Sequence, residues 1–269
     1  MCARIALGIA YRGGAYQGWQ SQAGGRTVQD VVQAALATFA AAPRDALTTV
    51  CAGRTDAGVH ALNQVVHIDP PVERSAQAWV RGTNTYLPAD VAVQWAQPVD
   101  AAFHARNSAR GRRYRYRLIE SPVRPALLHG LVGWSFRALD ADAMRTAAAH
   151  LIGTHDFTSF RAAACQSPTP VKTLHQIRIG HQGPPMQREW VFDFDGNAFL
   201  HHMVRNLMGC LLAVGNGRHA PAWMAEVLAA RDRDAAAPTF SPEGLYFVGP
   251  YYDAAHAIPA PALHDLAGT

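Results

Sequence analysis

CAGRTDAGVHALNQVVH, residues 51–67, joins two apolar runs through a short loop that carries one carboxylate, Asp56. Residues 47–52 lead into the loop and residues 65–68 leave it. Apolar runs on either side of a glycine-punctuated loop are typical of a strand, a tight turn and a returning strand. We therefore predict a hairpin that presents Asp56 at its turn.

Asp56 has two interpretations when the spacing alone is considered. Gly53 and Gly58 flank it, and Arg54 precedes it by two residues. The glycines let the backbone turn sharply and let a bulky ligand approach. The carboxylate could bond main-chain N–H groups in an Asx-turn, which is a structural role. It could also be a nucleophile, and the pattern leaves both open.

The composition indicates a globular protein with a substantial core. The 269 residues are 49% hydrophobic and 16% charged, enough for one large domain or two ordinary ones. The net charge of +4 permits an acidic partner without establishing one. Lys172 is the single lysine, so the other basic residues are arginines, which suit phosphates and base edges. A GC-rich genome would explain the same bias.

The four cysteines lie far apart and form no C-x-x-C pair, which argues against a zinc site built on paired thiolates. They are Cys2, Cys51, Cys165 and Cys210. We expect a cytoplasmic protein without disulfides. Residues 198–214 are apolar but include two histidines and an arginine, which would be costly in hydrocarbon. We therefore predict a buried helix over residues 199–214 and no membrane span.

The first part of the chain predicts a β-α-β-β-α-β order, which is ferredoxin-like. Residues 4–11 alternate as in a strand, and Thr27 is a predicted N-cap for a helix with apolar positions through Phe39. The hairpin around Asp56 supplies two strands. A second helix over residues 75–86 and a strand over residues 91–95 complete the order.

An arginine-rich stretch with two tyrosines follows at residues 103–117. Alternate side chains of a strand share a face, so Tyr114 and Tyr116 should lie on one face and three arginines on the other. Those arginines are Arg113, Arg115 and Arg117. Interleaved basic and aromatic groups suit phosphate contacts with a stacked base. A solvated edge strand would carry the same charges.

The second part also mixes strands and helices. A helix capped by Asp140 should end at Gly153, paired strands should cover residues 174–180 and 189–194, and a last strand should cover residues 244–248. We predict two domains: residues 1–105 with the Asp56 loop, and residues 106–269 with the arginine–tyrosine strand and the long buried helix.

Two patterns suggest metal chemistry that the rest of the chain does not support. Asp193-Phe194-Asp195 resembles the strand end of aspartate-nucleophile phosphatases, but such sites need a downstream lysine and none follows Lys172. His201 and His202 are adjacent, and neighbours on a helix diverge by about 100°. We expect no metal site.

Arg205 stands out because its neighbours on the predicted helix are apolar. Such an arginine either extends to water along its stem or pairs with a buried carboxylate. The pattern does not choose between these two possibilities.

Residues 53–60, GRTDAGVH, resemble the tRNA pseudouridine synthase A family, and seven further motifs fall in the family's order across nearly the whole chain. They are Tyr16-x-Gly18-Trp19-Gln20, Leu87-Pro88, Phe103-His104-Ala105-Arg106, Arg113-Tyr114-x-Tyr116, Asp156-Phe157-Thr158-Ser159-Phe160, Phe199-x-x-x-Met203-Val204-Arg205 and Gly244-Leu245-Tyr246. Two departures are visible. Arg12 stands where the family usually has Asp, and Asn63 stands where Gly is common.

The resemblance implies an enzyme that isomerises uridine to pseudouridine at positions 38, 39 and 40 of the tRNA anticodon arm. It also implies a homodimer, no metal and no organic cofactor. The implied fold is α+β, with two ferredoxin-like α/β halves whose antiparallel sheets join, helices on one side and an active-site cleft between the halves.

Residue chemistry fits this expectation. Moving the glycosidic bond from N1 to C5 needs a group that attacks and later leaves, and Asp56 is the predicted nucleophile. Arg205 is the candidate cation that keeps it ionised. Tyr114 would stack on the uracil and help move protons, while Arg54 would bind a phosphate or fill the space of the flipped base. Arg113 and Arg115 are further predicted contacts to the tRNA.

Overall fold

A computed structural model of the chain describes residues 2–261. The chain divides into two compact units: residues 2–110 with 246–261, and residues 111–245. We call them the first and second unit and describe each by itself. The predicted boundary after residue 105 therefore differs by five residues from the observed one. Residues 246–261 belong to the first unit, whereas the predicted second domain included them.

The described residues form ten strands and five α-helices. The strands are β1 (Ile5–Tyr11), β2 (Val50–Cys51), β3 (His60–Ile68), β4 (Val91–Pro98), β5 (Gly111–Glu120), β6 (Gly133–Ser135), β7 (Gly153–Asp156), β8 (Val171–Gln182), β9 (Arg188–Gly196) and β10 (Leu245–Tyr251). The helices are α1 (Val28–Ala40), α2 (Ala76–Asn84), α3 (Ala141–Ala149), α4 (Met203–Gly215) and α5 (Trp223–Ala230).

The sheet of the first unit is built around β1 and β3. β1 pairs antiparallel with β3 on one edge and with β4 on the other. β3 uses its second edge twice: antiparallel with β2 at Val66 and His67, and parallel with β10 at His60 and Ala61. The sheet is therefore mixed, not purely antiparallel as expected. β10 arrives from a distant part of the chain, so no hairpin turn forces it to run antiparallel.

The helices of the first unit begin where the side chains predict. Thr27 accepts a hydrogen bond from Asp30 N and caps α1, as expected from the sequence. Ser75 caps α2 by accepting from Ala78 N. The two helices meet through Phe39 and the fully buried Trp79, whose rings lie edge to face at 5.3 Å.

The second unit contains the antiparallel order β5-β9-β8-β7, and β6 runs parallel to β5. Along β5, Tyr116 and Leu118 are buried, whereas Arg113 is exposed. The register agrees with the predicted separation of faces, because Tyr114 and Tyr116 lie opposite Phe194 and Phe192 while Arg113 and Arg115 lie opposite the two aspartates of β9.

Several predicted elements have different bounds. The strand expected over residues 47–52 is reduced to β2, whose Val50 and Cys51 lie opposite His67 and Val66 of β3. The helix expected from residue 199 begins at Met203, because His202 adopts a left-handed conformation with φ of 61°. α3 ends at Ala149 rather than at Gly153, whose φ of 108° starts β7. No helix within residues 2–261 is long and apolar enough to cross a bilayer.

Candidate active site

A side-chain contact joins the start of the Asp56 loop to the sheet of the first unit. Ala52 N donates to Val65 O at 2.9 Å, one residue beyond the end of β2. At the next residue, Gly53, the buried side chain of Gln64 replaces the main chain as the hydrogen-bonding partner. Gly53 N donates to Gln64 Oε1 at 3.4 Å, and Gln64 Nε2 donates to Gly53 O. The loop is therefore anchored to β3 up to the residue before Arg54.

The glycine-rich segment at residues 13–19 packs along the other side of the loop. Trp19 N donates to Thr55 O at 3.0 Å, and the buried hydroxyls of Tyr11 and Thr55 lie 2.8 Å apart. A Cβ on Gly18 would lie 2.5 Å from Thr55 O, and one on Gly13 would lie 2.0 Å from Val59 O. These two glycines therefore permit a close approach of two backbone segments that any side chain would prevent.

Asp56 is half-buried at the turn, and the neighbouring Arg54 is exposed. The turn is closed by Val59 N, which donates to the main-chain oxygen of Asp56 at 3.2 Å. This bond uses the main-chain oxygen of Asp56 rather than its carboxylate. The main chain of the loop is thus held by hydrogen bonds on both sides of the residue that carries this acidic side chain.

His60 and Tyr246 support the far end of the loop. Gly13 N donates to His60 Nδ1 at 3.0 Å, which fixes that nitrogen as an acceptor. The His60 ring stacks on Tyr246, with centroids 4.7 Å apart and planes inclined by 27°. Since Tyr246 begins the returning segment of the chain, the pairing of β10 with β3 helps to hold this side of the Asp56 loop.

His67 joins the hairpin to the Phe103-His104-Ala105-Arg106 motif. Its Nδ1 accepts from Ala105 N at 3.1 Å, and its ring contacts the rings of Phe103 and His104. Burial, with help from the positive charges of Arg4 and His104, lowers the pKa of His67 to about 4. The ring is therefore neutral at pH 7, as its acceptor role requires.

In the second unit, the two tyrosines of β5 differ in environment. Tyr116 is buried, donates its hydroxyl to Ser241 O at 2.9 Å, and has its pKa raised by burial. Tyr114 is half-buried, and its ring meets Phe199 edge to face at 5.0 Å. Tyr116 is thus a structural residue, and Tyr114 is the tyrosine of this pair that a base could reach.

The D-x-D pair of β9 neutralises the arginines of β5. Arg115 binds Asp193 with two hydrogen bonds, of 2.7 and 3.0 Å. Arg113 Nε donates to Asp195 at 3.0 Å. A phosphatase needs such carboxylates for Mg²⁺, so the phosphatase hypothesis loses its main support. The Arg113 side chain is 57% exposed and that of Arg115 only 21%, which leaves Arg113 more accessible to an anion.

Arg205 is half-buried on α4, with its Nε donating to Phe240 O at 2.8 Å. The segment at residues 237–241 lies along this helix. Ala237 N donates to Cys210 Sγ, and Thr239 Oγ1 donates to Asn206 Oδ1 at 2.7 Å. The guanidinium is therefore anchored at its Nε end to a main-chain carbonyl, an arrangement that neither sequence interpretation anticipated. The carboxylate partner expected for Arg205 stays a prediction.

A family model described as tRNA pseudouridine synthase matches residues 9–107 and 147–253. The match covers most of the chain and includes both Asp56 and Arg205. The chain belongs to the tRNA pseudouridine synthase family. Tyr114, Arg113 and Arg115 fall between the two matched ranges, so their roles rest on the sequence motif and on the geometry of β5.

Several relatives in this synthase family match at nearly full length. A protein named tRNA pseudouridine synthase A from Methylibium petroleiphilum is 68% identical over 93% of this chain and 94% of its own. One of the same name from Polaromonas naphthalenivorans is 62% identical over 96% of both chains. A solved structure titled as a Cbf5-Nop10-Gar1 complex covers 86% of this chain and 60% of its own at 11% identity, and its TM-score of 0.36 supports no conclusion.

The residues that support Asp56 in this synthase were not identified from the sequence. Gln64, Thr55 and His60 each act through a partner distant along the chain, so neither periodicity nor local spacing reveals them. The only available signal was that polar residues occur within a hairpin whose other positions are apolar.

Proposed function

We propose that this chain isomerises uridine to pseudouridine in the anticodon stem-loop of tRNA, at positions 38, 39 and 40, with Asp56 as nucleophile and with neither metal nor organic cofactor. The observation that carries the proposal is the Asp56 loop itself. Its main chain is held by Gln64 on one side and by the glycine-rich segment on the other, in a member of the tRNA pseudouridine synthase family.

The reaction is an isomerisation: uridine and pseudouridine have the same composition, although the hydrogen at C5 is lost to water and N1 takes up another. The N1–C1′ bond breaks, a C5–C1′ bond forms, the proton leaves C5, and N1 gains a proton. The Asp56 carboxylate adds to the sugar at C1′ or to the base at C6, or it promotes elimination through the sugar. In each route the carboxylate departs unchanged, so no cofactor is consumed.

The other predicted residues have complementary roles. Arg205 keeps Asp56 ionised, because a nearby cation favours the charged form of a carboxylate. Tyr114 stacks on the flipped uracil and helps to move the C5 proton. Arg54 binds a flanking phosphate or fills the space that the base leaves, and the exposed fraction of Arg113 supports a further phosphate contact. Arg115 would contact RNA while still paired with Asp193.

We also propose that each unit has a ferredoxin-like core. In the first unit the chain order β1-α1-β2-β3-α2-β4 accompanies the antiparallel neighbours β4-β1-β3-β2. In the second unit β5, β9 and β8 repeat the arrangement of β1, β3 and β2. The family resemblance further supports a homodimer and a cytoplasmic location. Sedimentation of the purified protein tests the dimer.

One assay tests the proposed reaction. The enzyme is incubated with tRNA that carries tritium at C5 of uridine, and the tritium released to water is counted. Release is expected because C5 must lose its hydrogen before pseudouridine is complete. Binding of tRNA without release would indicate a binding module. Phosphate release that requires Mg²⁺ would indicate a phosphatase.

A further inference from the structure

We propose that Arg12 and Arg26 extend the RNA contact of the first unit, forming with Arg54 an edge that binds phosphates beside the target nucleotide. We call these three residues the arginine edge. The inference rests on the proposed function and names the part of the substrate that this surface receives. All three residues and Asp56 belong to the first unit, so the surface is defined within one compact body.

The backbone geometry brings the arginine edge to the Asp56 loop. Residues 13–19 run along residues 55–59: Gly13 N reaches His60 Nδ1, Gly58 N donates to Tyr16 O at 3.4 Å, and Trp19 N reaches Thr55 O. Arg12 is the residue next to Gly13, at one end of this contact. Its main chain therefore lies within a residue or two of the loop that carries Asp56.

Arg26 lies on the next segment outward. Gln17 N donates to Arg26 O at 2.9 Å, and Val28 N donates to Gly18 O at 3.1 Å. The chain around Arg26 thus borders the glycine-rich segment, which in turn borders the Asp56 loop. Hydrogen-bonded neighbours of this kind are about 5 Å apart, so Arg26 lies about two such spacings from the loop, within reach of an adjacent nucleotide.

These arginines differ from Arg4, Arg44 and Arg110 of the same unit in whether the side chain is paired with a carboxylate. Arg4, Arg44 and Arg110 bind Asp69, Asp30 and Asp253, respectively, at 2.6–2.8 Å. In the part of the chain that the structure describes, the side chains of the arginine edge are exposed and make no hydrogen bond or ion pair. The charges of Arg4, Arg44 and Arg110 are compensated by carboxylates within the unit. The charges of the arginine edge are therefore the ones available to an external anion.

A phosphodiester is the anion that fits. Guanidinium groups bind phosphate oxygens in a planar, bidentate geometry, and three cations spaced along one edge match a polyanion better than a single small ion.

The experiment measures tRNA affinity against salt concentration for the full-length enzyme and the variants Arg12→Gln and Arg26→Gln. Each lost phosphate contact should lower the slope of log Kd against log salt by about 1. The affinity should fall several-fold at the lowest salt, and KM should rise while kcat is kept. Arg81→Gln, an exposed arginine on α2 without a side-chain partner in residues 2–261, is the matched control.

Arg12→Asp gives a second test, because it reverses the charge at this exposed position. It should lower the affinity more than Arg12→Gln without unfolding the protein. Unchanged slopes for both Gln variants, with tritium release intact, would overturn the arginine edge and leave the proposed reaction standing. An equal effect of Arg81→Gln would also overturn it. Failure of the unaltered enzyme to bind tRNA or release tritium would overturn both proposals.

Discussion

The side-chain amide of Gln64 hydrogen-bonds both main-chain polar groups of Gly53. This reproduces the exchange of bonds between paired strands, but a side chain supplies the partner in place of a backbone. The hairpin can therefore open into a loop without leaving Gly53 unpaired. Asp56 follows three residues later in the chain, so a residue of β3 determines where the Asp56 loop begins.

Replacing Gln64 with Met should weaken both folding and catalysis. The substitution keeps the size of the side chain but leaves Gly53 N and O without partners, at a cost of about 1–3 kcal/mol in the free energy of unfolding. Because the loop is then less well positioned, kcat should fall with little change in KM. Urea denaturation and steady-state kinetics measure the two effects. Gln17→Met, at an exposed position, is the control; equal behaviour of the two variants would show that the Gln64 bonds are unimportant.

Asp56→Asn should abolish turnover while tRNA affinity stays within a few fold. The amide keeps the shape of the side chain but lacks the charge and nucleophilicity of a carboxylate. Tritium release and a filter-binding measurement test the two halves of this prediction. Asp45→Asn, at an exposed position in the same unit, should leave both unchanged. Substantial residual turnover in Asp56→Asn would remove this residue as the nucleophile.

Tyr114→Phe should retain more activity than Tyr114→Leu. The phenyl ring preserves the face on which the uracil stacks and the contact with Phe199, whereas Leu removes both. Comparing kcat/KM of the two variants measures the preference. Equal losses would indicate instead that the hydroxyl moves the proton. Tyr86, which is 53% exposed, provides the same pair of substitutions as a control.

Acidification should destabilise the protein through His67. The pKa of His67 is about 4 when folded, whereas an unfolded histidine titrates near 6.5. Between these values the unfolded chain binds a proton that the folded chain does not, so the free energy of unfolding falls as the pH falls, by up to about 1.4 kcal/mol per pH unit.

His67→Asn tests this because Asn places an acceptor near the position of Nδ1 and does not titrate. Its stability should depend less steeply on pH between 6.5 and 4 than that of the unaltered protein, measured by denaturation at each pH. His175→Asn, at an exposed position on β8, should keep the original slope. An unchanged slope in His67→Asn would assign the pH dependence to other groups.

Treatment with a chelator should leave pseudouridine formation unchanged. The carboxylates of Asp193 and Asp195 that resemble a metal site are engaged by Arg115 and Arg113. Activity is measured by tritium release before and after treatment with EDTA, followed by gel filtration. A loss that Mg²⁺ restores would contradict the prediction and favour the phosphatase hypothesis again.

Local signals predicted much of the fold, and non-local pairing accounts for what they missed. The caps at Thr27 and Asp140 were foreseeable, because each depends on atoms within three residues. The start of α4 was not, since no local signal identified the left-handed conformation of His202. The pairing of Asp193 and Asp195 with arginines could not be predicted either. It depends on the register between β5 and β9, and the paired residues are about 80 positions apart in the chain.

The same limit applies to the candidate site. Motif and chemistry were enough to single out Asp56, because an acidic residue between two glycines is visible in the sequence. The residues that hold its loop were not visible. Gln64 acts across the hairpin, and Tyr246 stacks on His60 from the far end of the chain.

The return of β10 to the first unit has a consequence for biosynthesis. Residues 246–261 leave the ribosome after the whole of the second unit, yet Tyr246 and Phe247 pair with His60 and Ala61, and Asp253 binds Arg110. Until they emerge, a nascent chain must keep that portion of the β3 edge unpaired, where it could associate with another strand. The first unit is thus completed only after translation of the intervening residues 111–245, and a chain that stalls before residue 246 lacks the strand and the Tyr246 ring that support one end of the Asp56 loop.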